Sequence, residues 1–590
     1  MINVRVGAGA GALSLVVGCF ATLPAQPPKP IVEFPSPARL SAVEARPATL
    51  PALPSGEVPP DGWTVPAPAL AAEPAASDAW TPQGPWEENF AGAYAASGRK
   101  AALTRAMACA AAEIGRFYLE KQAPPPESLR QFQTAACGVT APAIGYNTLT
   151  GKLPAGAPDD KLLAQWKDQV GAGMAAKVPA SAKHAGFWFG RRGGAAVALV
   201  VFESTPVALK PFSPVPDFNG DLAIEGQLEG DAAYFAGYVN QGRFGVRGCL
   251  VDPSVPRPRF RVSCRMAAND DTAWIQIVYA APRSVLALPI VQVLARRDRQ
   301  KPLVYAEPSR APSPPVTDAA AFAPAVVAAL NATRAEAGLA PVHLAEAESA
   351  TASRVARRYF AAALGVTGLG DAGPEAMEDM NTIALGLLAG WQVVGTIRDG
   401  TFFSAIVPRT RDAGRWVDGA LALPLGRQAL MAQDIDEVAL GSALFDNPSS
   451  IGAVACGYRF HRGNDHTADV DHLRERIAAA RQRMNLPPPA RLKGMDAVLQ
   501  RELARVQEGA RTPVTALHAS LEEASGRFGA SMRGLVVETT SLDALEIPPR
   551  VLAQPGLQLE IGVTHYKPPG AAWAQLVIVV VYVSPAGVEI

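Results

Sequence analysis

The sequence predicts an α+β protein of layered domains, each opening with helices and closing on an antiparallel hairpin, repeated along the chain around one small β-only unit. Three observations carry this. VVAALNATRAEAGLAPVHL at 326–344 matches LRERIAAARQRMNLPPPAR at 473–491 without gaps, so that Leu330, Arg334, Leu339 and Pro341 face Ile477, Arg481, Leu486 and Pro488. The closing segments match too: EVALGSALFDNPSSIGAVACGYRF and LEIGVTHYKPPGAAWAQLVIVVVYV each hold a strand with a Leu-Gly or Ile-Gly pair, a polar loop and a long apolar strand. Between residues 206 and 300, short strand-like runs are separated by turn residues.

The chain begins MINVRVGAGAGALSLVVGC, with one cation, Arg5, and an uncharged run through Gly18. That run is short and Gly-rich for a membrane span but suits a secretory signal. Val16-Val17-Gly18-Cys19 resembles a bacterial lipobox, which would make Cys19 the first mature residue and the site of acylation, with 1–19 as signal peptide and lipobox; the alternative is ordinary signal cleavage near Ala25, leaving Gln26 as the first mature residue. Residues 20–86 hold sixteen prolines and little apolar periodicity, the composition of an extended, disordered stalk. No other stretch is long and apolar enough to span a membrane; VIVVVYV near the C-terminus has the length of a strand.

The first domain is expected at 87–205, with ALTRAMACAAAEIGRFYLEKQ and ESLRQFQTAACG as helices and AGFWFGRRGGAAVALVVF as a hairpin. Its looser version of the repeat opening is GRFYLEKQAPPPESL. The β-rich domain follows at 206–300, where PDFNGD reads as a hairpin turn rather than part of a calcium loop. Residues 301–317 are a Pro-rich linker, and the two matching domains occupy 318–465 and 466–590. A repeat at domain scale follows.

Cysteine usage fits export. Cys109 with Cys137, and Cys249 with Cys264, form two sequence-local pairs that an oxidising compartment would bridge. Cys456, in an apolar strand, reads as a buried thiol. The 54 basic and 54 acidic residues cancel, which removes the electrostatic argument for nucleic acid as a partner.

The third domain resembles the bacterial form of the CAP family, the cysteine-rich secretory or SCP-like domain. The carrying residues are Asn331, Arg334, Gly338 and Pro341 in the opening helix and turn, then Pro424-x-Gly426-Arg427-x-x-Leu430-Met431, Val438-x-x-Gly441 and the closing strands. The resemblance implies an α-β-α sandwich, here in tandem copies, secreted or surface-tethered and without a universal activity. Many members present a cleft with two histidines and two acidic residues. This chain departs from that pattern. Gly426 stands where the family usually has a histidine, and no histidine lies between His343 and His461. Glu375 and Glu378 lie near the place of an expected Gly-Glu-Asn and match it poorly.

One stretch concentrates chemistry outside that frame. HRGNDHTADVDH, 461–472, holds His461, His466 and His472 with three aspartates between them. Imidazoles and carboxylates are zinc ligands, so these histidines are the metal candidates. The competing reading is a polar joint, with Asp469 or Asp471 capping a helix, and it is preferred, so no metal or other cofactor is assigned. His184 and His565 read as surface strand residues. No G-x-S-x-G elbow, P-loop, H-E-x-x-H or dinucleotide fingerprint occurs.

Two function classes remain. The first is a cell-envelope protein, held to a lipid bilayer through acylated Cys19, whose tandem CAP-like domains bind an envelope component or another protein without turnover. The second is a metal-dependent or serine hydrolase acting on cell-envelope polymers. The missing family histidines favour the first.

Overall fold

The computed structural model describes residues 34–583 except 54–55, 67–77, 153–155, 157, 281–286, 308–314, 367–374, 462, 464, 529–530, 540–541, 543–544, 546 and 569–570. The expected signal peptide and Cys19 lie outside these residues. The fold is mixed, with helices and several small sheets. Its contacts divide it into two units: Pro35–Leu388 with Thr401–Gly457, and a second that includes Ala389–Gly400 and Tyr458–Ile590.

Three of the sheets share one strand order. In the first, Ala102–Leu103 pairs in parallel with His184–Arg192, which forms a hairpin with Ala195–Glu203, and Gly145–Lys152 closes the far edge. The second runs His343–Leu344, Glu437–Asp446, Ser449–Phe460, Ile397–Val407, and the third Ala490–Arg491, Gln558–Tyr566, Gln575–Val583, Met532–Thr539. Their central strands are nearly continuous apolar runs because helices cover both faces. In the first sheet, Met107 and Ile114 of the helix Arg105–Lys121 pack against Val197, Leu199 and Val201. Phe90 and Tyr94 of Pro85–Ala96 pack with Phe187, Ala198 and Val200 on the other face. In the third, Leu473 and Ile477 share a core with Ile578 and Val580, while Leu499 and Leu503 share one with Val577 and Val579.

The opening of each repeat is built alike. Leu330 and Ile477 are buried, and four residues on lie the fully buried Arg334 and Arg481. Four residues further the backbone turns left-handed, at Gly338 (φ 70°) and Asn485 (φ 57°). The backbone N–H of Leu339 then donates to Arg334 O, and that of Leu486 to Arg481 O. A left-handed residue just past a helix end is a common way to stop it. The first domain shows the same spacing at Phe90, Tyr94 and Gly98 (φ 70°). Its opening is therefore Pro85–Ala96, not the expected GRFYLEKQAPPPESL, which spans the end of the helix over the sheet, the turn after it and the start of the helix Glu127–Ala136. The match is hidden in the sequence because a tyrosine stands where the other two openings have arginine.

Each sheet also brings a helix unusually close at one glycine of its first long strand. A Cβ on Gly441 would lie 2.1 Å from the backbone carbon of Ala352, and one on Gly186 2.1 Å from that of Met107. On Gly562 it would meet Leu503 Cδ1 at 2.6 Å.

The β-rich domain is two four-stranded antiparallel sheets sharing one core, with Ile224, Val262 and Phe260 of one sheet and Val239, Ile275 and Ile277 of the other. The PDFNGD turn is held by Asp217, whose Oδ1 accepts from the backbone N–H groups of Asn219 and Asp221 at 2.9 Å each. Cys109–Cys137 and Cys249–Cys264 are disulfides, and Cys456 is a buried thiol. Two disulfides indicate an oxidising compartment.

Residues 20–86 are not all stalk. Within them Pro37–Glu44 is a helix, capped by Ser36, that buries Leu40 and Val43. Trp63–Val65 pairs with Leu303–Tyr305, so the expected linker 301–317 also supplies a strand. Proline marked these segments as non-helical, but Trp63 and Val65 have a core to enter, with Phe117, Leu129 and Leu303. The segment 35–53 is fastened to the third domain by Arg39–Glu378 (2.7 Å), Arg46–Asp379 (2.5 Å) and Glu44–Arg354 (2.8 Å). Among the described residues no helix is long and apolar enough to cross a membrane.

Candidate functional site

Most of the polar residues and glycines singled out by the resemblance serve the backbone. Asn331 clamps Val342, accepting from its N–H at 2.8 Å and donating to its carbonyl at 2.9 Å. Arg334 donates from Nε to Ala340 O (2.7 Å) and from Nη1 to Leu430 O (2.7 Å) and Ala432 O (3.1 Å). Gly338 supplies the left-handed turn, Pro341 lies exposed just after it, and Gly441 admits the helix. Arg427 donates to Leu421 O (2.7 Å) and, across to the β-rich domain, to Gly242 O (3.0 Å) and Gly245 O (2.8 Å). Burial lowers its pKa to about 10.

The position where the resemblance expects a histidine is closed. A Cβ on Gly426 would lie 1.8 Å from the carbonyl oxygen of Ala420. The two acids near the expected Gly-Glu-Asn are occupied by the N-terminal segment, Glu375 by Arg46 (2.5 Å) and Glu378 by Arg39 (2.7 Å).

The cluster with chemical potential is in the second unit, around HRGNDHTADVDH. His461 leaves the strand Ser449–Phe460, and its backbone N–H donates to Thr396 O at 3.0 Å. His466 occupies the N-cap position of the helix Thr467–Arg483 without capping it, because its Nδ1 is paired with Asp469 Oδ2 at 2.7 Å. The expected cap is therefore not Asp469 or Asp471 but lies one residue before His466: Asp465 Oδ1 accepts from the backbone N–H of Thr467 at 2.9 Å. The third ring is His565, on the strand Gln558–Tyr566, buried and not the surface residue expected. Its Nδ1 is 3.0 Å from His466 Nε2, and its Nε2 is 3.3 Å from the amide nitrogen of Gln507. His461 stacks on His565 with ring centres 4.4 Å apart and planes 3° from parallel. His472 is exposed further along the helix.

These distances assign the protons. The Gln507 amide donates to His565 Nε2, so His565 carries its proton on Nδ1 and donates it to His466 Nε2. His466 then carries its proton on Nδ1 and donates to the Asp469 carboxylate. Every nitrogen of these two rings is used. His461 Nε2 is buried without a partner. Burial, with His565, His466 and Arg398 nearby, pushes the His461 pKa down to about 4 against the pull of Asp469. Burial, then His466, lowers that of His565.

The arrangement does not suit a metal. A cation is bound in the plane of an imidazole along a nitrogen lone pair, and two parallel stacked rings have no such point in common. Among the described residues no group of three or more His, Cys, Asp or Glu is placed to hold an ion. Protein purified without a polyhistidine tag should carry well under about 0.1 equivalent of zinc, since a structural site would retain near one. One bound equivalent, lost in His466→Ala, would make the stretch a metal site after all.

No protein-family model matches the chain, and no curated protein matches it. Among solved structures, one similar chain is a cysteine-rich secretory protein from Staphylococcus aureus, at 10% identity and a TM-score of 0.17, covering 43% of this chain and 85% of that one. At that score the likeness decides nothing about this chain.

Proposed function

We propose that the chain is an exported, lipid-anchored cell-envelope protein whose tandem CAP-like domains form a non-catalytic binding or structural module. The observation that carries this is the use of the motif residues: Asn331, Arg334, Arg427 and Gly441 are spent on backbone hydrogen bonds and close packing, and Gly426 leaves no room for the family histidine. The shared strand order of three helix-covered sheets supports a tandem array. Two disulfides support export. The partner is an envelope component or another protein, and no cofactor is needed. A hydrolase drawing on the Asp469–His466 pair would find both imidazole nitrogens of His466 occupied.

Docking of residues 35–53 on the third domain shortens the tether this reading provides. From Cys19 to Pro35 the sixteen steps of chain reach at most about 55 Å, at about 3.4 Å each. Mass spectrometry of the N-terminal peptide from membranes should show acylated Cys19, and Cys19→Ala should move the protein to the soluble fraction. A mature N-terminus at Gln26 would sink the anchor. Release of fragments from envelope polymers by the metal-replete protein would sink the non-catalytic reading.

A further inference from the structure

We propose that His461, His466 and His565 form an acid-opened latch that holds the ring of His461 against that of His565 while neutral and releases it when a second proton enters the cluster. The first proton has a place. Taken up at His466, it leaves Nδ1–H on Asp469 and puts a proton on Nε2, which donates to His565 Nδ1. His565 then carries its proton on Nε2 and needs an acceptor there, which Gln507 provides by turning its amide. One proton thus reverses the His466–His565 and His565–Gln507 hydrogen bonds and leaves the one to Asp469 as it was.

The second proton has none. On His565 it sets an N–H of that ring against the N–H of His466 across 3.0 Å, donor facing donor and cation facing cation. On His461 it sets a cation on the face of the ring 4.4 Å away. The described charged groups around the cluster do not relieve this. Arg398, from the strand Ile397–Val407, adds positive charge and opposes protonation of His461, while Asp469 is already engaged by His466. Asp465 is turned to the backbone N–H of Thr467, and the helix Met495–Gln507 contributes only the neutral Gln507. The low proton affinity of the two stacked rings agrees with this. Opening the stack frees His461, whose backbone N–H is fastened to Thr396 O, at the point where the strand passes into the joint.

The test is hydrogen exchange on the full chain, read by mass spectrometry and corrected for the intrinsic effect of pH. Between pH 7.5 and 4.5, protection in peptides covering 456–470 should fall at least about tenfold, while peptides in 495–507 and 575–583 hold within about twofold, because local opening is cheaper than global unfolding. His565→Phe keeps a flat ring under His461 without a second titrating group, and should lose most of the acid effect. Equal acid loss in His565→Phe, or unchanged protection in the wild type at pH 4.5, would overturn the latch. If the variant does not fold, exchange at the imidazole C2 positions of the wild type decides. His461 and His565 should take protons only below the ordinary histidine range, and not before protection starts to fall; independent titration of these two rings near pH 6.5 would overturn it.

Discussion

Replacing Arg334 with alanine is expected to lower the unfolding free energy by about 3 kcal/mol, and Arg481→Ala by a similar amount, because each leaves one buried carbonyl, that of Leu430 or Gln554, and two part-buried bonds unmade, at about 1–3 kcal/mol for a buried acceptor and less for the others. For Arg334 the abandoned acceptors are Ala340, Leu430 and Ala432; for Arg481 they are Pro487, Leu552 and Gln554. The usual escape for a buried charge is to replace the pair by apolar residues of the same volume. It is closed here, because the partners are main-chain oxygens that no substitution removes. Arg334→Met should therefore cost nearly as much as alanine. Urea unfolding of the variants measures this, and a loss below about 1 kcal/mol would show that water reaches the carbonyls and that the arginine is not what closes the turn. The first domain does the same task with less: Tyr94 gives one hydroxyl to Ala101 O at 2.9 Å.

Gly441→Ala is expected to cost about 3 kcal/mol or more, the upper range for overpacking, since the added carbon meets backbone and not a movable side-chain tip. At 2.1 Å from the Ala352 carbon, and with its oxygen at 2.3 Å, the helix Glu346–Val366 would have to lift off the strand. Gly338 is the control. It has a positive φ but open space around it, so Gly338→Ala should cost only the left-handed strain of about 1 kcal/mol. Unfolding midpoints by circular dichroism compare the two. If Gly441→Ala proves the milder change, the close approach is not a tight constraint and the repeated glycine has another cause.

The two C-terminal copies could be aligned by eye because their defining residues recur at fixed spacing: a buried aliphatic, an arginine four residues on, a proline seven beyond that, and a glycine in the closing strand. Cysteine pairing was legible for the same reason, each partner lying within 28 residues of the other. The first copy is legible at its hairpin but not at its opening, since Tyr94 does by a hydroxyl what the others do by a guanidinium. Prolines hid the helix Pro37–Glu44 and the strand Trp63–Val65, whose order depends on surfaces supplied by distant residues.

The histidines show the same division. The sequence alone marked 461–472 as unusual and placed it at a domain joint. It could not supply His565, which stands 99 residues from His466 and meets it only through the register of a strand and the helix laid beside it. A histidine on a strand reads as exposed when one face of the sheet is wet. Here helices cover both faces, so alternation along the strand no longer separates inside from outside. Local pattern determined the repeats, the turns and the disulfides, because periodicity and spacing are properties of neighbouring residues. Which imidazoles touch, and which glycine has no room for a side chain, was decided by packing between segments far apart in the chain.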